Sequence, residues 1–241
     1  MQISPNLEII ETALWLRKEK ALVINDLHLG YEESLQKKGV LIPKFQFKEI
    51  VGSLERILSK VKPEKIIING DLKHEFGTVL RQEWQDVLAL LDFLLSKSKE
   101  VIIIQGNHDP IIKPISDKRG ITTVPEIQLG ENLIVHGDKV VEKNRLKKTK
   151  IKRIIIGHEH PAITLRKGSK WEKYKCFLKG KWKGKELIVV PSFNPLLEGT
   201  DILKEQLLSP FLEKIKNFKV YIISQEEVFE FGKVKDMIKI K

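Results

Sequence analysis

Cysteine is almost absent: Cys176 is the one thiol in 241 residues. No intrachain disulfide can form, which excludes a disulfide-stapled scaffold and fits a cytoplasmic setting. A lone cysteine reads as a small apolar filler rather than a reactive group. No apolar run approaches the roughly 18 residues of a membrane span, and the amino terminus lacks a secretory-signal pattern, so no membrane partner is expected. Acidic residues fall short of basic ones, 32 against 43, and the formal net charge is +11. The excess is local. Residues 139–185 hold seventeen Lys and Arg against three Glu, a net +14 that exceeds the charge of the whole chain. Such a segment favours an acidic partner, with nucleic acid expected, and makes Lys147, Lys148, Lys150 and Lys152 candidate substrate-binding cations. Trp171, Tyr174, Phe177 and Trp182 are interleaved there and offer rings to bases; the competing reading is a solvated hairpin with core aromatics. Repeats, low-complexity linkers and domain boundaries are also missing, so 1–241 reads as one domain.

What is present is a set of unbroken apolar runs, each ending in polar residues. The central one, 101–109, reads Val-Ile-Ile-Ile-Gln-Gly-Asn-His-Asp. Without alternation it is a strand buried on both faces, and such strands carry sites at their carboxyl ends. Gly106 permits a tight turn or a close approach of backbone. Similar runs deliver Asp26 and His28, Asp71 and His74, His136, and His158 and His160. Residues 7–17 and 20–25 read as two strands around a turn at 18–20. Helical stripes cover 44–60 and 79–96, with Thr78 as N-cap of the second. After residue 121 strands predominate, at 162–166, 174–180, 186–190, 219–224 and 228–231. The pattern is α/β.

All six histidines stand at these strand ends. Asp26 and His28 lie two apart, which in a strand-like segment puts both on one side, able to grip one ion. Asp, His and Asn donors suffice for two divalent transition-metal ions, Mn²⁺ first, with Zn²⁺, Fe²⁺ or Co²⁺ possible. Two ions about 4 Å apart form the arrangement used in phosphoester hydrolysis, and their repulsion requires a bridging anion. Asp71 is the natural bridge, with hydroxide the second. Two dications, two Asp and one hydroxide sum to +1, so the cluster attracts a phosphate oxygen and supplies a hydroxide nucleophile near neutral pH.

Asp26-Leu-His28, Gly70-Asp71, Gly106-Asn107-His108-Asp109, His136 and Gly157-His158-Glu-His160 resemble, in order and spacing, the five-block signature of the calcineurin-like metallophosphoesterases. The resemblance implies a four-layer α/β/β/α sandwich. It implies one ion held by Asp26, His28, Asp71 and His160, and a second held by Asp71, Asn107, His136 and His158. His108 resembles the family's non-ligand histidine, which contacts phosphate and protonates the leaving oxygen. Asp26-Leu-His28-Leu-Gly30 and Gly70-Asp71-Leu-Lys-His74 are similar to the SbcD-type nucleases, where a histidine placed like His74 assists the phosphate. Residues 191–195, Pro-Ser-Phe-Asn-Pro, resemble archaeal SbcD-related phosphoesterases. The resemblance implies a nuclease for DNA or RNA and, in the fuller nucleases, a helicase or ATPase partner. The length here leaves no room for their separate capping domain or long tail. The alternatives are a phosphatase or phosphodiesterase for a small nucleotide or phosphorylated metabolite, and a non-catalytic scaffold of the same fold.

Overall fold

The apolar runs become the strands of two stacked sheets in the computed structural model, which describes residues 1–75, 81–109, 112–142, 145–146 and 150–238. Among these residues the first sheet holds β1 (Gln2–Ser4), β2 (Leu7–Ile10), β3 (Ala13–Leu16), β4 (Ala21–Asn25), β5 (Lys65–Asn69), β6 (Glu100–Ile104) and β7 (Thr122–Val124), in that spatial order. β1 to β4 pair antiparallel and β4 to β7 parallel. The second sheet contains β8 (Glu126–Leu129), β9 (Asn132–Val135), β10 (Arg153–Ile156), β11 (Pro161–Lys167), β12 (Lys170–Trp182), β13 (Lys185–Val189), β14 (Thr200–Asp201), β15 (Lys219–Ser224) and β16 (Glu227–Lys233). Its order is β14-β11-β12-β13-β10-β9-β8, with β15 on β12 and β16 on β15. β9, β10 and β13 run parallel to one another, as do β11 and β14.

Alternation sorts each parallel strand between two cores. Leu22, Ile24, Ile66, Ile68, Val101 and Ile103 face helices α2 (Gln46–Lys60) and α3 (Arg81–Lys97), which follow the short α1 (Tyr31–Lys37). Ile50, Leu54 and Ile57 meet them from α2, and Val87, Leu90, Leu91 and Leu94 from α3. The intervening residues Val23, Ile67 and Ile102 face the second sheet, where Ile134, Ile155, Phe177 and Ile188 answer them. The far side of that sheet is covered by Phe211, Leu212, Ile215, Val234 and Met237. Helix, sheet, sheet and helix therefore stack as the resemblance implies. The fourth layer is thin, largely coil from 202 to 218 plus α5 (Val234–Ile238); α4 (Lys113–Lys118) leads into β7. Cys176 is a fully buried filler whose thiol pKa is pushed up by burial.

One expectation changes. Residues 7–17 are not one strand: the chain reverses at Glu11 and Thr12, with Glu11 in left-handed backbone, so β2 and β3 form a hairpin. No Gly, Pro or Asn marks that turn, which is why the sequence hides it. The proposed N-cap Thr78 lies outside the described residues. Among the described residues, no helix is long and apolar enough to cross a membrane.

Candidate metal centre

Five parallel strands, β4, β5 and β6 from one sheet and β9 and β10 from the other, point their carboxyl ends at one place. The chain turns sharply there to keep its side chains inside. Asp26, His28, Asp71, His158 and His160 all take left-handed backbone, with φ of 50, 43, 40, 63 and 49°. Asp26 and His28 therefore share a side through two strained turns and not through strand alternation as the sequence suggested. Non-Gly residues in this region cost of order 1 kcal/mol or more each and persist only where the surroundings over-determine them. Main-chain bonds do this here: His28 N–H donates to Asp71 O at 2.8 Å, Gly157 N–H to His136 O at 2.8 Å, and Gly70 N–H to Ile104 O at 2.9 Å. Two glycines are required by close approach. A Cβ on Gly70 would sit 1.9 Å from the His136 ring, and one on Gly106 would sit 2.2 Å from Asp71 Oδ1.

All the strand-end residues singled out in the sequence meet. Asp26, His28 and His160 offer ligand atoms within 4.8 Å of one another, as do Asp71, His136 and His158. Asp71 joins the two groups. Its Oδ1 accepts the His108 N–H at 2.9 Å. Its Oδ2 lies 3.6 Å from His28 Nε2 and 3.4 Å from His136 Nε2. His160 Nε2 is 3.5 Å from Asp26 Oδ2, His136 Nε2 is 3.0 Å from Asn107 Oδ1, and His158 Nδ1 is 3.2 Å from His136 Nε2.

These atoms fit divalent ions. Asp26 Oδ1, both nitrogens of His28, His74 Nδ1, His136 Nδ1 and His160 Nε2 are buried with no hydrogen-bond partner. Buried polar atoms are normally satisfied, so such a cluster of orphans calls for a ligand. Donors about 2.1 Å from an ion stand about 3.0–3.4 Å from one another, close to the spacings found here. A set of imidazoles, carboxylates and an amide without thiolate suits Mn²⁺, Fe²⁺, Co²⁺ or Zn²⁺.

The electrostatics divide the histidines. Burial first, then His160, drives the His28 pKa well below its usual value. Burial and the neighbouring His136 lower His158 likewise. Burial also works against protonation of His136, but Asp71, Asp26 and Asp138 outweigh it and raise its pKa to about 9. His74 is lowered by burial and then by His108. Its ring stacks on that of His108, centroids 5.8 Å apart, and its carbonyl lies 2.6 Å from His108 Nδ1. Because a carbonyl only accepts, Nδ1 carries the proton there and Nε2 is the nitrogen left for chemistry.

Several buried supports escaped the sequence reading. Asp109 accepts the N–H groups of Leu72, Lys73 and Gly106 at 3.1–3.3 Å, tying the Asp71 loop to the Asn107 loop. Burial and then Asp71 raise its pKa to about 6. Glu83 accepts His74 N–H at 2.9 Å, Glu159 accepts Leu208 and Ser209 N–H at 2.8 Å, and Gln46 donates to His28 O at 2.7 Å. An acidic residue directly after a histidine of the site, as in His108-Asp109 and His158-Glu159, was the available signal for two of them.

The basic segment is placed differently from the histidines. Lys147 and Lys148 lie outside the described residues. Lys150 and Lys152 precede β10, whereas His158 follows it, so they stand at the opposite end of that strand, about 20 Å away at 3.3 Å per residue. Lys152 pairs with Glu131 at 2.6 Å, Arg145 with Glu126 at 2.6 Å, and Arg153 with Glu186 at 3.0 Å. Of the interleaved aromatics, Phe177 is buried between the sheets, Trp182 packs on Phe211 at 4.6 Å, and Tyr174 hydrogen-bonds Glu172. Trp171 alone of the four is well exposed. Beside Asn107 and His136 an open groove of about 510 Å³ runs past Gly137, Asp138 and Lys139.

Comparison with known proteins adds the following. A family model described as calcineurin-like phosphoesterase matches residues 19–162. No curated protein sequence matches. Among solved structures, Pseudomonas putida nuclease MPE is similar over 93% of this chain and 94% of its own, at 19% identity and a TM-score of 0.65. Vacuolar Protein Sorting 29 from Cryptosporidium parvum covers 88% of this chain and 97% of its own, at 19% identity and a TM-score of 0.40. The phosphoesterase Yfce from E. coli covers 90% and 93%, at 14% identity and a TM-score of 0.37. The first shares the fold; the other two superpose too loosely to carry an argument.

Proposed function

The chain belongs to the calcineurin-like phosphoesterase family, and on that premise we propose that it hydrolyses phosphodiester bonds with two divalent ions, its substrate being nucleic acid. The observation that carries the reading is Asp71 Oδ2, poised between His28 Nε2 and His136 Nε2. Asp26, His28, Asp71 and His160 would hold one ion, and Asp71, Asn107, His136 and His158 the other, with Mn²⁺ the first choice for this donor set. Divalent ions held there would supply positive charge toward a phosphoryl oxygen and would acidify water near neutral pH. The protein does the rest. Asp71 neutralises part of the charge between the two donor groups and is fixed by the His108 N–H. His108, its Nδ1 committed to the His74 carbonyl, moves a proton at Nε2 and delivers it to the leaving oxygen. His74, kept neutral by burial and by His108, contacts the phosphate.

The nucleic-acid substrate is supported by the net charge of +11 and by the open groove with Lys139 on its rim. The Pseudomonas putida structure is that of a nuclease, and its likeness to this chain is one of fold. Lys150 and Lys152 would meet only a ligand long enough to run the length of β10, which a polymer does and a nucleotide does not. Their distance from the centre, and the pairing of Lys152 with Glu131, favour the second reading, a phosphodiesterase for small phosphoesters. Labelled single- and double-stranded DNA and RNA, incubated with Mn²⁺ beside bis-p-nitrophenyl phosphate, separate the two. Cleavage of an oligonucleotide is expected. Turnover of the small ester with every oligonucleotide intact assigns the small substrate, and no turnover of either refutes the enzyme.

A further inference from the structure

Residues 191–195 and the amine of Lys175 are absorbed by nothing above, and they meet. The loop lies against the Asp26–His28 turn: Phe193 N–H donates to Asn25 O at 2.7 Å, Ser192 Oγ to Asp26 O at 2.7 Å, and Asn194 Nδ2 to His28 O at 3.4 Å. Ser192 Oγ also accepts Asn194 N–H at 3.1 Å, which locks the loop to itself. From β12, Lys175 Nζ donates to the carbonyl of Ser192 at 2.8 Å and to that of Asn194. The ammonium thus grips the two residues whose side chains grip Asp26 and His28.

The arrangement is costly. Burial pulls the Lys175 pKa down to about 7 against the pull of Asp26. A cation that interacts with that carboxylate also repels a metal ion that the carboxylate would hold. A residue kept there on electrostatic grounds alone would weaken ion binding. What it supplies is geometry, because Asp26 and His28 occupy left-handed backbone that the chain does not adopt unaided.

We propose that Lys175 is a positioning residue for the metal centre, acting through Ser192 and Asn194 to hold the Asp26–His28 turn in its ligating form. The inference rests on the reading of the centre given above. It makes a prediction opposite in sign to the electrostatic one: removing the charge loosens the ion.

The test is Mn²⁺ titration of the chelator-stripped full chain by calorimetry, in two backgrounds. His158→Ala leaves the Asp26 side of the centre intact, and His160→Ala leaves the Asn107 side. Adding Lys175→Met is expected to weaken Mn²⁺ at least tenfold in the first background and less than twofold in the second. Ser192→Ala should act on the same site, and the double variant should be no worse than the more damaging single one, since both break one chain of contacts. Ser192→Ala also carries the test if Lys175→Met does not fold. Unchanged or tightened binding in the first background overturns the proposal, as does an equal loss in both, the mark of a general structural role. Wild-type chain that takes up two ions while the variants match it overturns this proposal alone. Wild-type chain that takes up none overturns the metal-centre reading and this one with it.

Discussion

Loading the centre should expel a proton, and the proton should come from His136. Its Nε2 lies 3.4 Å from Asp71 Oδ2 and its Nδ1 lies 3.5 Å from Asp26 Oδ1. Despite burial, those carboxylates raise its pKa to about 9, so at pH 7.5 the ring is protonated. An ion needs the lone pair that the proton occupies. Each pH unit below about 9 therefore costs about 1.4 kcal/mol, or a factor of about ten, in apparent affinity. Mn²⁺ affinity is expected to rise about fiftyfold from pH 7 to pH 9, by the same rule. Calorimetry at pH 7.5, in buffers of different ionisation enthalpy, should count about one proton released per chain by that ring. His28 and His158, both lowered, should contribute none. Stability gives a second readout. The folded pKa of His136 lies above its unfolded value of 6.5, so its contribution is full below pH 6.5 and lost as pH rises through about 9. That contribution is at most about 3 kcal/mol, so the melting temperature of the stripped protein should fall between pH 7 and 9. The loaded protein should lack this slope. An affinity that does not depend on pH, with no proton counted, would refute the reasoning.

Other perturbations have defined outcomes. Asp71→Asn should weaken both ions and remove nearly all hydrolysis while circular dichroism stays native, because Asp71 Oδ2 faces both donor groups. His108→Gln should keep two ions by elemental analysis and lower kcat by about 10²–10⁴-fold, with a smaller loss on an activated aryl ester whose leaving group needs no proton. Equal losses on both substrates would rule out the acid role. Gly106→Ala should cost about 1–3 kcal/mol in denaturant melts and impair ion binding, since its Cβ would stand 2.3 Å from Asp71 N. Oligonucleotide affinity should fall with log salt at about −0.7 to −0.9 per phosphate contacted, and Lys150→Ser with Lys152→Ser should flatten that slope. An unchanged slope would remove these lysines from the substrate path.

The strands that carry the centre were legible because buried parallel strands leave β-branched runs with no alternation, and every run ended in a histidine or an Asp. The conformation of those ends was not legible. Left-handed backbone at Asp26, His28 and His160 leaves no mark in residue type, since Asp and His are common elsewhere too. The supports were hidden by distance: Ser192 and Asp26 are 166 positions apart, and Gln46 and His28 are 18. The pairing of the basic segment was hidden for a related reason. Its counter-ions Glu126, Glu131, Glu186 and Glu205 all lie outside 139–185, so a sum over the segment counted cations without their partners. Alternating apolar positions did locate β12, and burial of Phe177 shows that its aromatic served packing.

The donors also come from both sheets and from widely separated parts of the chain: Asp26 and His160, on one proposed ion, are 134 positions apart. An ion held by both closes a loop as a disulfide would, and closing a loop of more than a hundred residues is worth about 4–5 kcal/mol in the chain-entropy account. The site cannot exist until residue 160 has been synthesised and the two sheets have met, so ion uptake marks the completion of folding rather than its beginning. Stripping the ions should then lower the stability of the packed sheets by about that amount and make the chain easier for proteases to cut. A chain with one cysteine would in this way possess long-range cross-links that a chelator, and not a reductant, can open.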